Sequence, residues 1–156
     1  MEYKGYMIIP GKWEIEYRYA AGEYATKFFK GLMEEKIYGV KCPSCRRVIV
    51  PPRKFCERCF VEPSEWIEVG PKGELVNFVI VYRKFHGLPD PPYAIGLIKL
   101  DGADDSILHF ISEVDLSSPY RALKVLKPGV KLEAVWAEEK KGMILDIKYF
   151  KPIETG

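Results

Sequence analysis

The sequence predicts a mainly β protein in three parts. An N-terminal extended segment and amphipathic helix occupy residues 1–36, a rubredoxin-like four-cysteine zinc ribbon occupies 37–65, and a small closed barrel occupies 66–156. Three observations carry that expectation. All four cysteines lie in "CPSCRRVIVPPRKFCERC", residues 42–59. The chain before them changes from a two-residue to a three-and-four-residue apolar period, and the chain after them is a series of β-branched and aromatic runs broken by turn residues.

In the first part, Trp13, Ile15, Tyr17 and Tyr19 alternate with Glu14, Glu16 and Arg18, the period of a half-buried extended segment that needs a surface to lie on. From Gly22 to Lys36 the apolar residues Ala25, Phe28, Phe29, Leu32 and Met33 recur at helical spacing and end in Glu34-Glu35-Lys36. The cysteine part is too small for an apolar core of its own and carries Pro51, Pro52 and Pro63.

Beyond it, strand-like runs stand at 66–69, 75–82, 93–100, 107–114, 130–137 and 143–150, separated by Gly-, Pro- and Asp-rich turns. "NFVIVY" and "YAIGLIKL" are apolar on both faces and are expected to be covered on both sides. Val130, Leu132, Ala134 and Trp136, then Met143, Leu145, Ile147 and Tyr149, point inward as an antiparallel hairpin closed by "EEKKG". "SSPYRALKVLKPG" is a short helix with Ser118 as N-cap, Pro119 at the first helical position and Pro128-Gly129 as its stop. About five strands with a helix after the third is the layout of an OB-fold.

At 156 residues and 47% hydrophobic content, the chain can bury one sizeable core, roughly two-thirds of its unfolded surface. The formal charge of +2 demands neither nucleic acid nor an anionic membrane as partner. No stretch approaches the roughly 18 apolar residues of a membrane span, and the N-terminus lacks a secretory apolar region. A cytoplasmic location is expected, where cysteines stay reduced.

Cys42-x2-Cys45 and Cys56-x2-Cys59, with ten residues between the pairs, give two knuckles able to wrap one tetrahedral ion. A disulfide between residues three apart is strained. Zinc is the default ion, and iron fits the same four thiolates. A site closed by four sulfurs is structural. Lys41, Arg46, Arg47, Arg53, Lys54 and Arg58 surround it against Glu57 and Glu62. They serve to balance the negative metal centre, to hold phosphate, or both.

"KIYGVKCPSCRRVIVPPRKFCERCF", the preceding "AGEYATKFFKGLMEE" and the barrel segments "GELVNFVIVY" and "VKLEAVWAEEKKGMILDIKYFKP" resemble a family of zinc-ribbon plus OB-fold proteins long filed as a domain of unknown function. The most specific element is the pair of knuckles joined through Pro51-Pro52-Arg53. The resemblance implies an accessory protein of acyl-CoA metabolism that joins acetoacetyl-CoA thiolase to hydroxymethylglutaryl-CoA synthase on the route to mevalonate. The family usually has glycine after the first knuckle, where this chain has Arg46.

That implication sorts the remaining residues. Arg83, Lys84, Phe85, His86 and Tyr93 lie in or beside "YRKFHGLPDPPY", a proline-stiffened loop suited to stacking an adenine and pairing phosphates. With Arg47 and Arg53 they form the candidate site for CoA or acyl-CoA. Solvation of that loop alone is the simpler reading. Tyr3, Tyr6, Trp13, Tyr17, Tyr19, Phe28 and Phe29 are candidates for binding partner enzymes, or for packing within the chain.

His109, in "SILHFISEV", reads as a histidine satisfied within the barrel. No free cysteine remains outside the metal site, and neither a nucleophile elbow nor a zinc-protease helix occurs. The chain is therefore expected not to be an enzyme, and no catalytic residue is assigned. Ribbons and OB-folds also bind nucleic acid. A sequence pI of 8.2, with Glu133, Glu138, Glu139 and Asp146 on and around the late strands, makes that the less favoured alternative.

Overall fold

The computed structural model describes residues 2–3, 5–7, 9 and 11–153, without side-chain surroundings for residues 2, 3, 6 and 7. A two-residue ladder pairs β1 (Glu2–Tyr3) with β2 (Tyr6–Met7). The side chains of Tyr3 and Tyr6 lie outside the described residues. Among the described residues no helix is long and apolar enough to cross a membrane.

Helix α1 (Gly22–Met33) buries Phe28 and Leu32 on its inner face. It ends where Glu35 takes a positive φ of 60°, before Lys36. The ribbon is a three-stranded antiparallel sheet with order β4 (Val48–Ile49), β3 (Ile37–Lys41), β5 (Glu65–Val69). Strand β5, which crosses the expected boundary at 65/66, pairs along its length with β3, from Ile37 opposite Val69 to Lys41 opposite Glu65.

The barrel contains β6 (Lys72–Val81), β7 (Tyr93–Leu100), β8 (Ser106–Ile111), β9 (Lys131–Trp136) and β10 (Ile147–Pro152), closed in the order β10-β8-β7-β6-β9. Every pairing is antiparallel except β8 with β10. That is the OB-fold arrangement, with α2 (Pro119–Val125) between β8 and β9. Ser118 caps α2 by accepting from the Arg121 N–H at 3.3 Å. Strand β6 closes the ring by pairing with β9 over Lys72 to Glu74 and with β7 from Gly73 to Val81. A bulge between Leu75 and Asn77 bends it between the two. The approach is close at Gly73, where a Cβ would lie 2.5 Å from the Lys99 carbonyl oxygen.

One core joins ribbon to barrel: Phe28 and Leu32 of α1 and Ile37, Val48 and Val50 of the ribbon cluster with Leu75, Ile98, Leu132, Ile147 and Phe150. A second, smaller cluster holds Val40, Ile49, Cys42 and Cys56, flanked by Tyr24 and Trp66.

Three expectations change. Residues 11–21 form no helix or strand, and Trp13, Ile15, Tyr17 and Tyr19 are 89%, 68%, 77% and 75% exposed, so the alternating segment is not laid on a surface of the described residues. The outer face of the barrel is not covered, since Val79 and Leu108 are exposed. The last strand also starts later than its alternation suggests. Asp146 is buried and accepts from the N–H groups of Lys141, Gly142 and Met143 at 2.8, 2.8 and 3.3 Å. This turns 144–146 into a 3-10 segment, leaving Met143 and Leu145 exposed while Ile147 and Phe150 fill the barrel.

Candidate metal centre

The four cysteines come from two turns of the same shape. In the first, Arg46 N–H donates to the Cys42 carbonyl at 2.9 Å and Cys42 N–H to the Arg47 carbonyl at 2.9 Å. In the second, Phe60 N–H donates to Cys56 at 2.8 Å and Cys56 N–H to Val61 at 2.9 Å. Each turn requires a left-handed residue just after its second cysteine. These are Arg46, at φ 63°, and Phe60, at φ 54°. A residue with a Cβ holds that conformation at a cost of about 1 kcal/mol.

The turns bring one Sγ each from Cys42, Cys45, Cys56 and Cys59 within 4.8 Å of one another. Cys45 and Cys56 are 3.8 Å apart, the edge of a tetrahedron whose centre lies about 2.3 Å from each sulfur. The Cys45 N–H points at the Cys42 sulfur at 3.5 Å and, ahead of other influences, pulls that thiol's pKa down. Cys45 feels the Arg47 backbone N–H, which lowers its pKa, but burial and the thiols of Cys42, Cys59 and Cys56 outweigh it and the net shift is upward. Four thiols packed this closely cannot all ionise unless a cation sits among them. The donor set, spacing and closed coordination fit a structural divalent metal.

The basic residues divide into two groups. Arg47, with its side chain 17% exposed, pairs with Glu57 at 2.8 Å and with Asp105 of the β7–β8 loop. Arg53 reaches the same two carboxylates at 3.4 and 3.5 Å. Val48 N–H donates to the Asp104 carboxylate at 2.9 Å, and Asp104 N–H returns to the Val48 carbonyl at 2.9 Å. Arg47 and Arg53 thus clamp ribbon to barrel and are not free phosphate forks. Asp104 and Asp105 were read in sequence only as part of a turn. The surplus of cations over acids in the ribbon was the signal that acids from elsewhere must meet them.

The candidate CoA residues are not brought together. Arg83, Lys84, Phe85 and His86 are exposed on the β6–β7 loop, and Lys84 pairs with Asp90 at 2.6 Å. Tyr93 is buried at the start of β7, and its hydroxyl has no hydrogen-bond partner among the described residues. The ribbon packs at the other end of that eight-residue strand, about 23 Å away. Phe28 is buried in the shared core and Phe29 packs against it, which spends both within the chain. Trp13, Tyr17 and Tyr19 stay outside.

His109 is buried, with Nδ1 accepting from the Phe110 N–H at 2.9 Å and Nε2 facing the Ile144 carbonyl at 3.2 Å. Burial, ahead of those contacts, holds its pKa below the usual value. It is a neutral structural histidine, donating from Nε2.

A rubredoxin-like ribbon with four converging sulfurs, docked on an OB-fold barrel, defines a two-module metal-binding protein. The ChsH2 rubredoxin-like zinc ribbon domain matches residues 29–64 and the ChsH2 C-terminal OB-fold domain matches residues 66–137. The chain belongs to this ChsH2-type zinc-ribbon and OB-fold family. It is similar to a protein of unknown function of the DUF35 family from Sulfolobus solfataricus, with 24% identity, 84% of this chain and 82% of that one covered, and a TM-score of 0.59. It is also similar to a structure described as an Ltp2–ChsH2(DUF35) aldolase, with 16% identity, 86% and 98% covered, and a TM-score of 0.61. No curated protein matches the chain.

The aldolase corrects one expectation. The absence of a recognisable nucleophile and base led to the chain being read as no enzyme. The same fold occurs within an aldolase, so a catalytic set incomplete in one chain does not exclude a place in an enzyme built from two.

Proposed function

We propose that this chain is a zinc-binding, cytoplasmic subunit of an enzyme complex of acyl-CoA metabolism. It holds a thiolase-type enzyme, and in its fullest form joins acetoacetyl-CoA thiolase to hydroxymethylglutaryl-CoA synthase. The observation that carries the reading is the arm at residues 11–21, whose Trp13, Ile15, Tyr17 and Tyr19 stay largely exposed among the described residues. Tyrosine and tryptophan are enriched at the energetic centres of interfaces. Exposed Val79 and Leu108 offer a second apolar surface on the barrel. The aldolase relative, described by two component names, supports an enzyme partner. Proximity would raise the effective concentration of an intermediate at the second active site.

CoA contact falls in this reading to Arg83, Lys84, Phe85 and His86, because Arg47 and Arg53 are held between two carboxylates each, whereas the Lys84–Asp90 pair is solvent-exposed and open to exchange. The test is affinity capture of the tagged protein from its native lysate, with nuclease added, followed by reconstitution from purified components. Joint recovery of a thiolase and a synthase, lost when Trp13 and Tyr17 are replaced by serine, is expected. Recovery of nucleic-acid enzymes alone would replace this reading with the nucleic-acid one. Arg83→Ala with Lys84→Ala should weaken CoA binding by the reconstituted complex, and unchanged affinity removes the loop from the site.

A further inference from the structure

Both positions that follow a knuckle demand a left-handed backbone, the conformation glycine adopts without strain. The chain places Arg46 in one and Phe60 in the other. Phe60 gains no packing in return, for it is 81% exposed. Phe55, one residue before Cys56, is also exposed, at 55%. Phe60 is a bulky aromatic held in a strained turn and aimed at solvent, which points to function over folding; Phe55 adds a second exposed ring, without that strain, beside Cys56.

The charges around these residues are unbalanced. Arg46, Lys54 and Arg58 are exposed, and no ion pair among the described residues includes them. Of the nearby acids, Glu57 is paired with Arg47 and Arg53 and Glu65 with Lys41, while Glu62, hydrogen-bonded by the Tyr24 hydroxyl, keeps its charge. The result is a tip beside the four sulfurs with two exposed aromatic rings and three cations that no described carboxylate pairs.

We propose that this tip, centred on Phe60 and Arg46, is a docking point for a folded partner enzyme, seating Phe60 in an apolar socket rimmed by acidic side chains. The proposal rests on the reading of the chain as an enzyme-complex subunit. Charge complementarity selects the rim. Aromatic and arginine side chains are the residues that anchor protein interfaces. A phosphate backbone is the poorer occupant, because Glu57, Glu62, Glu65 and the thiolates interrupt the positive surface, and binding to such a backbone draws its strength from a continuous row of cations.

Glycine substitution separates display from folding. Phe60→Gly and Arg46→Gly relieve the left-handed strain, so the melting temperature of each variant should equal or exceed that of the parent. Affinity for the purified thiolase, measured by calorimetry on the metal-loaded full chain, should fall about tenfold or more for Phe60→Gly. For Arg46→Gly it should fall less, with a weaker dependence on salt. Phe60→Asn, which tolerates the same backbone, provides a second polar replacement and should behave as Phe60→Gly does.

Variants that bind the thiolase as tightly as the parent overturn the proposal. So does loss of binding to a single-stranded RNA oligonucleotide with thiolase affinity unchanged. Failure of the parent chain itself to bind the thiolase strikes the proposed function and removes this inference with it, a result distinct from binding that the variants leave intact.

Discussion

The ribbon and the barrel solve the same problem with different means. The barrel closes on itself, so its strands have no free edge, and Leu75, Ile98, Leu132, Ile147 and Phe150 fill it completely enough to be almost inaccessible. The ribbon has only Val40 and Ile49 of its own, packed with Cys42 and Cys56. Its other inward residues, Ile37, Val48 and Val50, belong to the core shared with the barrel. One region is stabilised by burial, the other by sulfur ligation and borrowed core. The outer ends of the ribbon, away from that shared core, depend mainly on the metal, with the Arg47–Asp105 clamp and the packing of Tyr24 and Trp66 beside it.

Metal removal should separate the two regions most strongly. Structural zinc contributes on the order of 10 kcal/mol to small cysteine sites, far more than so small a core supplies. Chelation, or Cys45→Ser, should abolish amide hydrogen-exchange protection at residues 41–48 and 56–61 and largely spare β6 to β10. The barrel should then melt at a lower temperature, because Ile37, Val48 and Val50 would no longer be held against it. Equal loss of protection in both regions would show that they form one cooperative unit and that the contrast drawn between them is wrong.

The clamp between the regions gives the next effect. Asp105→Asn leaves Arg47 with Glu57 alone and weakens its contact with the barrel. With Arg47 and Asp105 side chains 17% and 14% exposed, a cost of about 1–3 kcal/mol is expected. Arg53→Ala, at a side chain 48% exposed, should cost much less. The measurement is urea unfolding of both variants in the metal-loaded state. A larger loss for Arg53→Ala would show that the clamp runs through the exposed arginine.

This clamp marks where sequence stops being legible. The knuckles were readable because metal ligation is encoded in a spacing of a few residues, and the OB-fold because its strands alternate and its helix is capped locally by Ser118 and Pro119. Arg47 with Asp105 spans 58 positions, and no local pattern records which acid meets which base. The arm failed in the opposite direction. Its alternation is a true strand pattern, but period alone does not say whether the surface it needs belongs to the same molecule. Met143 and Leu145 continued an apparent strand until Asp146 captured three backbone N–H groups, a local competition that outweighs apolar alternation.

The smallest effect is the most specific to the barrel. His109 sits between Phe110 and Phe150, with ring centroids 6.1 and 5.6 Å away, and its two nitrogens are engaged with backbone as the neutral form requires. Because burial lowers its folded pKa below the unfolded value of 6.5, the unfolded chain binds the proton more readily. The stability this neutral imidazole contributes is fully present above about pH 6.5 and is lost as pH falls below that toward the folded pKa. His109→Gln keeps a donor for Ile144 but cannot titrate. Urea midpoints compared at pH 8 and pH 5 should therefore fall less for the variant than for the parent, at a modest cost of about 1 kcal/mol at pH 8. The ribbon supplies the internal control, since its thiols are held by metal and contribute equally to parent and variant. A parent and variant that lose stability in parallel on acidification would show that the acid-sensitive group is not His109 but another one, such as the buried Asp146 carboxylate or the metal-held thiols.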